Sequence, residues 1–463
     1  MHVLLLQPAA DARTRRHPYR YDVALLAAVL RERGHSVGLM VLEVCDETTL
    51  AAAVHETPPG LVAMYVESLS ADLAFRVADT LRAVLDASLV LFGPYAALCP
   101  DEALSMRGVH AVAVAPPDVA IPAYLDAPQD GLQHLSTPGL WINCETGVMR
   151  NPSSAPPESL VGQPLSARDL YLSETLLDAA GLIDVYAARW GETLASAAPL
   201  PARGALAPGS WPVRHQPLDA FLKEMAILAA DYLNLEGFRI GNARWVSSPE
   251  WLAEFASRYP REIHLPFRTA LHPPDITPDV AAHLAQAGCE EVRLDVGSGS
   301  TLIRHDILGI EITNETLEAA FHSLRRAGLR TAARVELGAA YEMPVSLEET
   351  LALLRRLDPD RIEAVLHYPA PGTRAHEAAR ENGWLVADPS AAYCAGRPAL
   401  DLPSLTRDDV LTACEALPYA VHRPRIAALI RLARRVTIGH GRTLHELIVK
   451  PFLGPPVRPG VKP

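Results

Sequence analysis

Short apolar runs, each followed by a stretch with helical periodicity, recur along this chain in two separate series, and parallel sheets are what bury such a pattern. In the first series Val3–Leu6, Val37–Leu42, Leu61–Tyr65, Leu89–Phe92 and His110–Val114 read as strands. The helices among them are Tyr21–Arg33, closed by Gly34, then Thr48–His55 and Asp72–Leu85. This alternation predicts a doubly wound α/β domain over residues 1–128, with a ligand crevice beyond the carboxyl ends of its strands.

Residues 129–181 are rich in Pro, Ser and Gly and read as a linker, with a hairpin over LWINCETGVMRNP turning at Thr146–Gly147. The second series occupies residues 182–385. Its strands are Leu182–Ala188, Gly237–Gly241, Glu262–Phe267, Glu291–Leu294, Thr331–Leu337 and Ile362–Tyr368. Amphipathic helices separate them at Leu218–Asn234, Pro249–Arg258, Pro278–Ala287, Glu315–Arg326 and Leu347–Leu357. Six strands at this spacing suit a partial (β/α)6 barrel, and residues 386–463 read as a small helical C-terminal region.

Composition removes several function classes. Net charge is −12 and Lys and Arg are scattered, which gives no nucleic-acid footprint. No run approaches the roughly 20 apolar residues of a membrane span, and MHVLLLQPAA lacks the basic region of a signal peptide. Cys45, Cys99, Cys144, Cys289, Cys394 and Cys414 lie far apart, without CxxC or CxxxCxxC spacing. Neither a local metal motif nor a secreted disulfide framework is expected, and the compartment expected is a reduced cytoplasm.

LLLQPAA followed by YRYDVALLAAVLRERGHSV resembles the opening strand, loop and helix of the cobalamin (B12)-binding radical S-adenosylmethionine (SAM) superfamily. LVLFGPYAALCPDEAL resembles its Gly-Gly-Pro-His strand end, with Phe92 and Tyr95 in place of a Gly and the His. Three later blocks resemble that family's barrel: AGCEEVRLDVGSGSTLIRHDILGIEITNETLEAAFHSLRRAGLRT, ELGAAYEMPVSLEETLALLRRLDPD and HYPAPGTRAHEAARENGWL. The resemblance implies a Rossmann-like cobalamin-binding domain followed by a radical-SAM-type partial barrel. It places cobalamin against Gln7 and Pro8, against Glu67, Ser68 and Ser70, and against Gly93, Pro94, Tyr95 and Ala96. Backbone donors and small residues are expected there, with Gly93 allowing close approach to the ring. No Asp-x-His-x-x-Gly is present, so the chain offers no histidine to cobalt.

The resemblance breaks where the family carries its cluster cysteines. Arg189–Trp190 fits the entry to that motif, which sets Gly191, Ala195 and Ala198 at the cysteine positions. A [4Fe–4S] cluster needs converging thiolates, so none is expected, and no other metal site is read. The family's Glu that helps hold SAM is Gly297 here, which puts SAM in question, although Gly297, Ser298, Gly299 and Ser300 would form a loop of free N–H groups suited to a carboxylate or ribose. The plainer reading of that loop is a tight strand-to-helix turn.

Arg268, Arg293, Asp295, Arg334, Glu336 and His367 lie on or just after barrel strands with apolar neighbours. Strand alternation sets Arg334 and Glu336 inward if Val335 faces the helices. Arg334, Glu336 and Asp295 are the expected catalytic residues, acting on a small polar substrate at the barrel mouth, against the plainer reading of an internal ion-pair network. The function expected is cobalamin-dependent chemistry without a cluster, such as methyl or alkyl transfer to a small molecule in bacterial specialised metabolism. The alternative is a non-catalytic cobalamin-binding partner of an active radical SAM paralogue.

Overall fold

The computed structural model describes residues 1–9, 16–85, 87–128, 133–153, 155–189, 212–435, 437–438, 442–443, 445, 450 and 453. Two compact units emerge, one centred on Met1–Ile183 and the other on Leu218–Pro369 with the C-terminal residues beyond it.

The first unit is built on a seven-stranded sheet. Its strands are β1 His2–Pro8, β2 Ser36–Leu42, β3 Leu61–Tyr65, β4 Ser88–Phe92, β5 Val109–Ala113, β6 Leu140–Cys144 and β7 Gly147–Arg150. The order is β2-β1-β3-β4-β5-β6-β7, and the pairs from β2 to β5 are parallel. Val3, Leu5, Ala63, Val90 and Phe92 are fully buried, the near-continuous apolar character that a sheet covered on both faces demands. Order reverses between β1 and β3, which makes their carboxyl ends the switch point where such sheets take ligands. The hairpin read in the linker is present, and it extends this sheet: β6 pairs antiparallel with β5, and β7 with β6. Later linker residues return to the same core, where the Tyr171 hydroxyl donates to Gln7 Oε1 at 2.9 Å and Ala167 N–H to Ala24 C=O at 3.0 Å.

The second unit holds a six-stranded sheet whose strands follow one another in sequence order. They are β8 Leu182–Tyr186, β9 Gly237–Gly241, β10 Phe267–Leu271, β11 Cys289–Gly297, β12 Arg330–Leu337 and β13 Arg361–Leu366. Pairing from β9 to β13 is parallel. The strand expected at Glu262–Phe267 is displaced to β10, because the helix before it continues to Glu262. Tyr259 and Ile263 prolong that helix's apolar stripe, His264 turns the chain at φ +60°, and Pro266 has no N–H for a ladder.

One face of this sheet is packed. Val292, Leu294, Val296, Ala333, Val335 and Leu337 are fully buried there. Trp245, Phe255, Tyr259 and Phe267 form an aromatic cluster with centroids 4.8–6.3 Å apart. The Trp245 indole also donates to Thr269 Oγ1 at 2.9 Å. The opposite face carries the charges. After β13 the helices Arg407–Ala420 and Pro424–Arg434 pack on each other, forming the helical C-terminal region.

Trp245→Ala would remove a fully buried ring and its hydrogen bond. Denaturant unfolding should show a loss of about 3–5 kcal/mol in the barrel's transition, the range for deleting a core aromatic.

Candidate functional site

At the carboxyl edge of the first sheet the polar groups expected to face a ligand are already engaged. Gln7 is buried; its Nε2 donates to Pro18 C=O at 2.5 Å and its Oε1 accepts from Tyr171. Pro8, which ends β1, is likewise buried. Glu67 Oε1 accepts from Arg20 Nε at 2.7 Å and from the Tyr65 hydroxyl at 3.2 Å. The Glu67 N–H donates to Ser70 Oγ, and the Ser70, Tyr95 and Ala97 amides donate to the carbonyls of Glu67, Val66 and Gly93. Ser70, Tyr95 and Ala96 are buried; Glu67, Ser68, Gly93 and Pro94 are the half-buried residues of this set.

The amides of Glu67, Ser70, Tyr95 and Ala97 thus close the strand-end turns on themselves. A glycine is needed at 93, but for the protein's own packing. Gly93 has φ +104°, and a Cβ there would lie 2.9 Å from both Tyr65 Cδ2 and Val66 O. Glu67, Ser68, Gly93 and Pro94 are what this edge leaves half-buried at the switch point. A separate cavity of about 630 Å³ opens at the opposite, amino-terminal ends of β3, β4 and β5. Doubly wound sheets do not take ligands on that edge, and its His110 is already bonded to the Tyr124 hydroxyl at 3.1 Å.

In the barrel the Gly297–Ser300 loop is also closed on itself. Ser298 N–H donates to Val296 C=O, Gly299 N–H to Thr350 Oγ1 at 2.9 Å, and Ser300 N–H to Ser298 Oγ at 3.2 Å. Buried Arg304 donates to Ser298 C=O at 2.9 Å. A Cβ on Gly299 would stand 2.3 Å from Thr350 Cα, so the loop lies flush on the helix Pro344–Leu357. The expectation of free N–H groups is thus corrected in favour of the tight turn. Gly297 sits at φ +70°, and a Cβ would meet Ile310 Cδ1 at 2.6 Å. At this position, where the family carries its SAM-holding Glu, a side chain would take on a strained positive φ and displace the methyl ends of Ile310 and Leu308.

The charged face of the barrel sheet is ordered along the strands. At the amino-terminal ends Arg361 grips Glu291 with two hydrogen bonds of 2.5 and 3.2 Å and also bonds Glu363. Arg268 and Arg330 each reach Glu290 at 3.4 Å. Burial opposes the charge on Glu291, yet Arg361 holds its carboxyl below the ordinary value. Asp184 and Arg239 pair at 2.7 Å.

Toward the carboxyl ends the pairing thins. Arg293 Nε stands 3.6 Å from Asp295 Oδ1, and both atoms are buried without a hydrogen-bond partner. Arg334 Nη2 stands 3.8 Å from Glu336 Oε1, and neither distance is a hydrogen bond. Glu336 is instead held by His367, whose Nδ1–H donates to Oε2 at 2.9 Å. Burial works against the charge on Glu336, but that bond and the nearby Arg334 bring its carboxyl below the usual range. His367 is fully enclosed, with Nε2 unpartnered among the described residues. Arg334, Glu336 and Asp295 thus share one sheet face, with Asp295 directly across from Arg334.

Glu342 was not singled out by sequence. It lies in the turn after β12, buried, with Oε2 accepting from Gly338 N–H at 2.5 Å and Oε1 unpartnered among the described residues. Burial pushes its carboxyl up to about 7. The available signal was a carboxylate between a strand-ending glycine and the Pro344 helix start.

Gly191, Ala195 and Ala198 lie outside the described residues. All six cysteines are described and none is in a disulfide, and among the described residues no three His, Cys, Asp or Glu side chains are arranged to hold a metal ion. No helix among them is long and apolar enough to cross a membrane.

No protein-family model and no curated protein sequence matches the chain. Solved structures do. The radical SAM methyltransferase TsrM from Kitasatospora setae, with tryptophan substrate and a SAM analogue bound, superposes with TM-score 0.64 at 19% identity over 82% of this chain and 76% of that one. OxsB, a cobalamin-dependent SAM radical enzyme, superposes with TM-score 0.65 at 13% identity, over 95% and 69% of the two chains. The chain has the fold of the cobalamin-dependent radical SAM enzymes. That outcome agrees with the α/β architecture expected from the sequence, a Rossmann-like domain followed by a radical-SAM-type barrel.

Two measurements test this geometry. Gly93→Phe should destabilise the first unit by about 2 kcal/mol or more, through strained backbone and a clash with Tyr65, seen as a lower melting temperature without any ligand. Glu342 binds its proton more tightly folded than unfolded, so its contribution is fully present below pH 4.5 and is lost as pH rises to about 7. Glu342→Gln should therefore gain on wild type across that window, by about 3 kcal/mol at its upper end, in chemical denaturation at several pH values.

Proposed function

We propose that this protein binds cobalamin at the carboxyl edge of its first sheet and takes part in methyl or alkyl transfer to a small polar molecule held in its barrel. The observation that carries the reading is the gradient of ion pairing in the barrel. Arginines and carboxylates at the amino-terminal strand ends are bonded to one another, whereas toward the other end Arg293 Nε and Asp295 Oδ1 are buried without hydrogen-bond partners and Arg334 has only a 3.8 Å ion pair with Glu336. A face kept only for stability would be saturated throughout, since an unsatisfied buried polar atom costs about 1–3 kcal/mol. Ligand sites at the carboxyl ends of barrel strands are the rule.

Cobalamin, when bound, supplies a cobalt centre that carries a methyl group. The residues for it are those on the first unit's open edge: Glu67, Ser68, Gly93 and Pro94, with Arg20 steadying Glu67. In the barrel, Arg334 would anchor an anionic group, and Asp295 would hold a donor on the same molecule. Glu336 would act through His367, keeping that ring oriented.

The reading dispenses with an iron–sulfur cluster and with the family's grip on SAM. Its support is the sequence, which has no cysteine between Cys144 and Cys289, and the closed packing around Gly297. Specialised metabolism in a bacterial cytoplasm is the setting we assign. A second reading, an accessory cobalamin-binding partner of an active radical SAM paralogue, draws on exposed apolar side chains in the barrel's strand-end loops. Leu302, Tyr341, Met343 and Val345 are 46–56% exposed.

Purified protein titrated with hydroxocobalamin should shift the corrin's visible spectrum and retain it through desalting. Anaerobic reconstitution should leave iron and sulfide at background. A protein that releases cobalamin on desalting, or that keeps stoichiometric iron and sulfide, would refute the reading. Arg334→Ala and Glu336→Ala should lower turnover by about a hundredfold with cobalamin retained. Activity seen only when a radical SAM paralogue is added back would establish the accessory role instead.

A further inference from the structure

A sheet edge offers a row of unpaired backbone groups, and folded proteins blunt such edges with charge, shortness or a cover. The barrel sheet ends on β8, which carries Asp184, and on β13, which carries Arg361 and Glu363. The first sheet ends on one side at β7, a four-residue strand that includes Arg150. Its other edge is β2, which is built differently. That strand runs seven residues, SVGLMVL, with no charge, no proline and no bulge in its register. Val37 to Val41 are all half-buried.

The ladder to β1 fixes which backbone groups are left over. Ser36 N–H donates to Met1 C=O at 3.1 Å, and Leu42 C=O accepts from Ala9 N–H at 2.7 Å, with β1 and β2 parallel and in unbroken register between them. Alternation turns Gly38 and Met40 toward β1 as well, and it turns the N–H and C=O of Val37, Leu39 and Val41 outward. Among the described residues no strand pairs with that side. Three donors and three acceptors therefore stand in line on an apolar strand. The Val37 and Leu39 side chains pack against the domain's own core, which holds the row in place.

We propose that β2 pairs antiparallel with β2 of a second copy of this chain, about a two-fold axis through Leu39. Leu39 then faces the partner's Leu39, while Val37 and Val41 face the partner's Val41 and the partner's Val37. Each facing pair exchanges two hydrogen bonds, so every outward group on both strands is satisfied at once. Neighbouring registers do worse. An axis through Gly38 sets Val41 against the partner's His35, an amide already given to Leu30 C=O. An axis through Met40 sets Val37 against the partner's Glu43, beyond the end of the strand. The strand ends favour the same choice. Glu43, Asp46 and Glu47 follow β2, and a parallel copy would set these acids like against like. The two-fold instead sends Glu43 toward the partner's His35. It also sends Val44, 65% exposed, toward the partner's Gly34, where an added Cβ would meet nothing within 4 Å. Such an isologous pair closes on itself and leaves neither β2 edge open. The proposal is independent of the cofactor and substrate readings above.

Sedimentation of the full chain over a range of concentrations should show monomer passing into a discrete dimer. Hydrogen exchange read by mass spectrometry should slow over residues 36–42 as the dimer forms. Leu39→Pro deletes one outward N–H and spares the ladder to β1. It should weaken dimerisation by about tenfold or more, and the melting temperature of dilute protein checks that the variant folds. Leu39→Cys reads the register without relying on that variant. Its facing Cα atoms, about 5.5 Å apart, suit a disulfide, so mild oxidation should give a covalent dimer. Val41→Cys, about 13 Å from its copy, should not cross-link, and wild type with its six cysteines is the blank. A chain that stays monomeric at every concentration overturns the proposal, and so does open-ended aggregation in place of a dimer. A dimer that cross-links at Val41→Cys as readily as at Leu39→Cys, or whose affinity a folded Leu39→Pro leaves unchanged, assembles through another surface and also overturns it.

Discussion

The paired hydrogen bonds between Arg361 and Glu291 hold the polar face of the barrel sheet together. They join β13 to β11 across the intervening β12 at the amino-terminal end, where Glu291 is buried. A buried carboxylate there would be costly alone, and the bidentate guanidinium is what makes it tolerable. With that end fixed, the same alternation carries Arg293, Asp295, Arg334 and Glu336 up the face in a set order. Toward the top Arg293, Asp295 and Arg334 have neighbours only beyond hydrogen-bond distance, while Glu336 is held by His367.

The loops above the strands are set by backbone approach rather than by polar side chains. At Gly299 the chain lies against Thr350 too closely for any side chain, and at Gly297 and Gly93 the left-handed conformation coincides with a crowded Cβ position. A glycine in a strand-end turn therefore carries two readings, a ligand's access or the protein's own contact. In all three cases the space is filled by the protein.

Much of the fold was legible because period-2 and period-3.6 patterns are local. The parallel strands of the first unit and five of the six barrel strands fall where their apolar runs lie. β10 was misplaced because EIHLPF reads as an apolar run while the preceding helical stripe continues into it. The inward set of Arg334, Glu336 and Asp295 was legible for the same reason: alternation assigns faces. Which of those charges are already partnered was not, since Glu336 meets His367 across strands, 31 residues away. Nor could the amide of Gly299 be known to be occupied, because Thr350 is brought to it by tertiary packing alone.

The bond between Tyr171 and Gln7 spans 164 residues. It has a consequence for how the chain matures. Gln7 lies on a strand paired on both sides, and its buried amide has no water to fall back on. During synthesis the first five strands emerge long before Tyr171 does, so the nascent domain must wait with the Gln7 amide oxygen unsatisfied and the β5 edge uncovered by the hairpin. A closure of such long sequence separation is slow, and the exposed edge in the interval is a template for pairing with other chains. The segment between the two sheets thus works as a late-arriving clasp, setting when in translation the first half of the molecule becomes safe from aggregation.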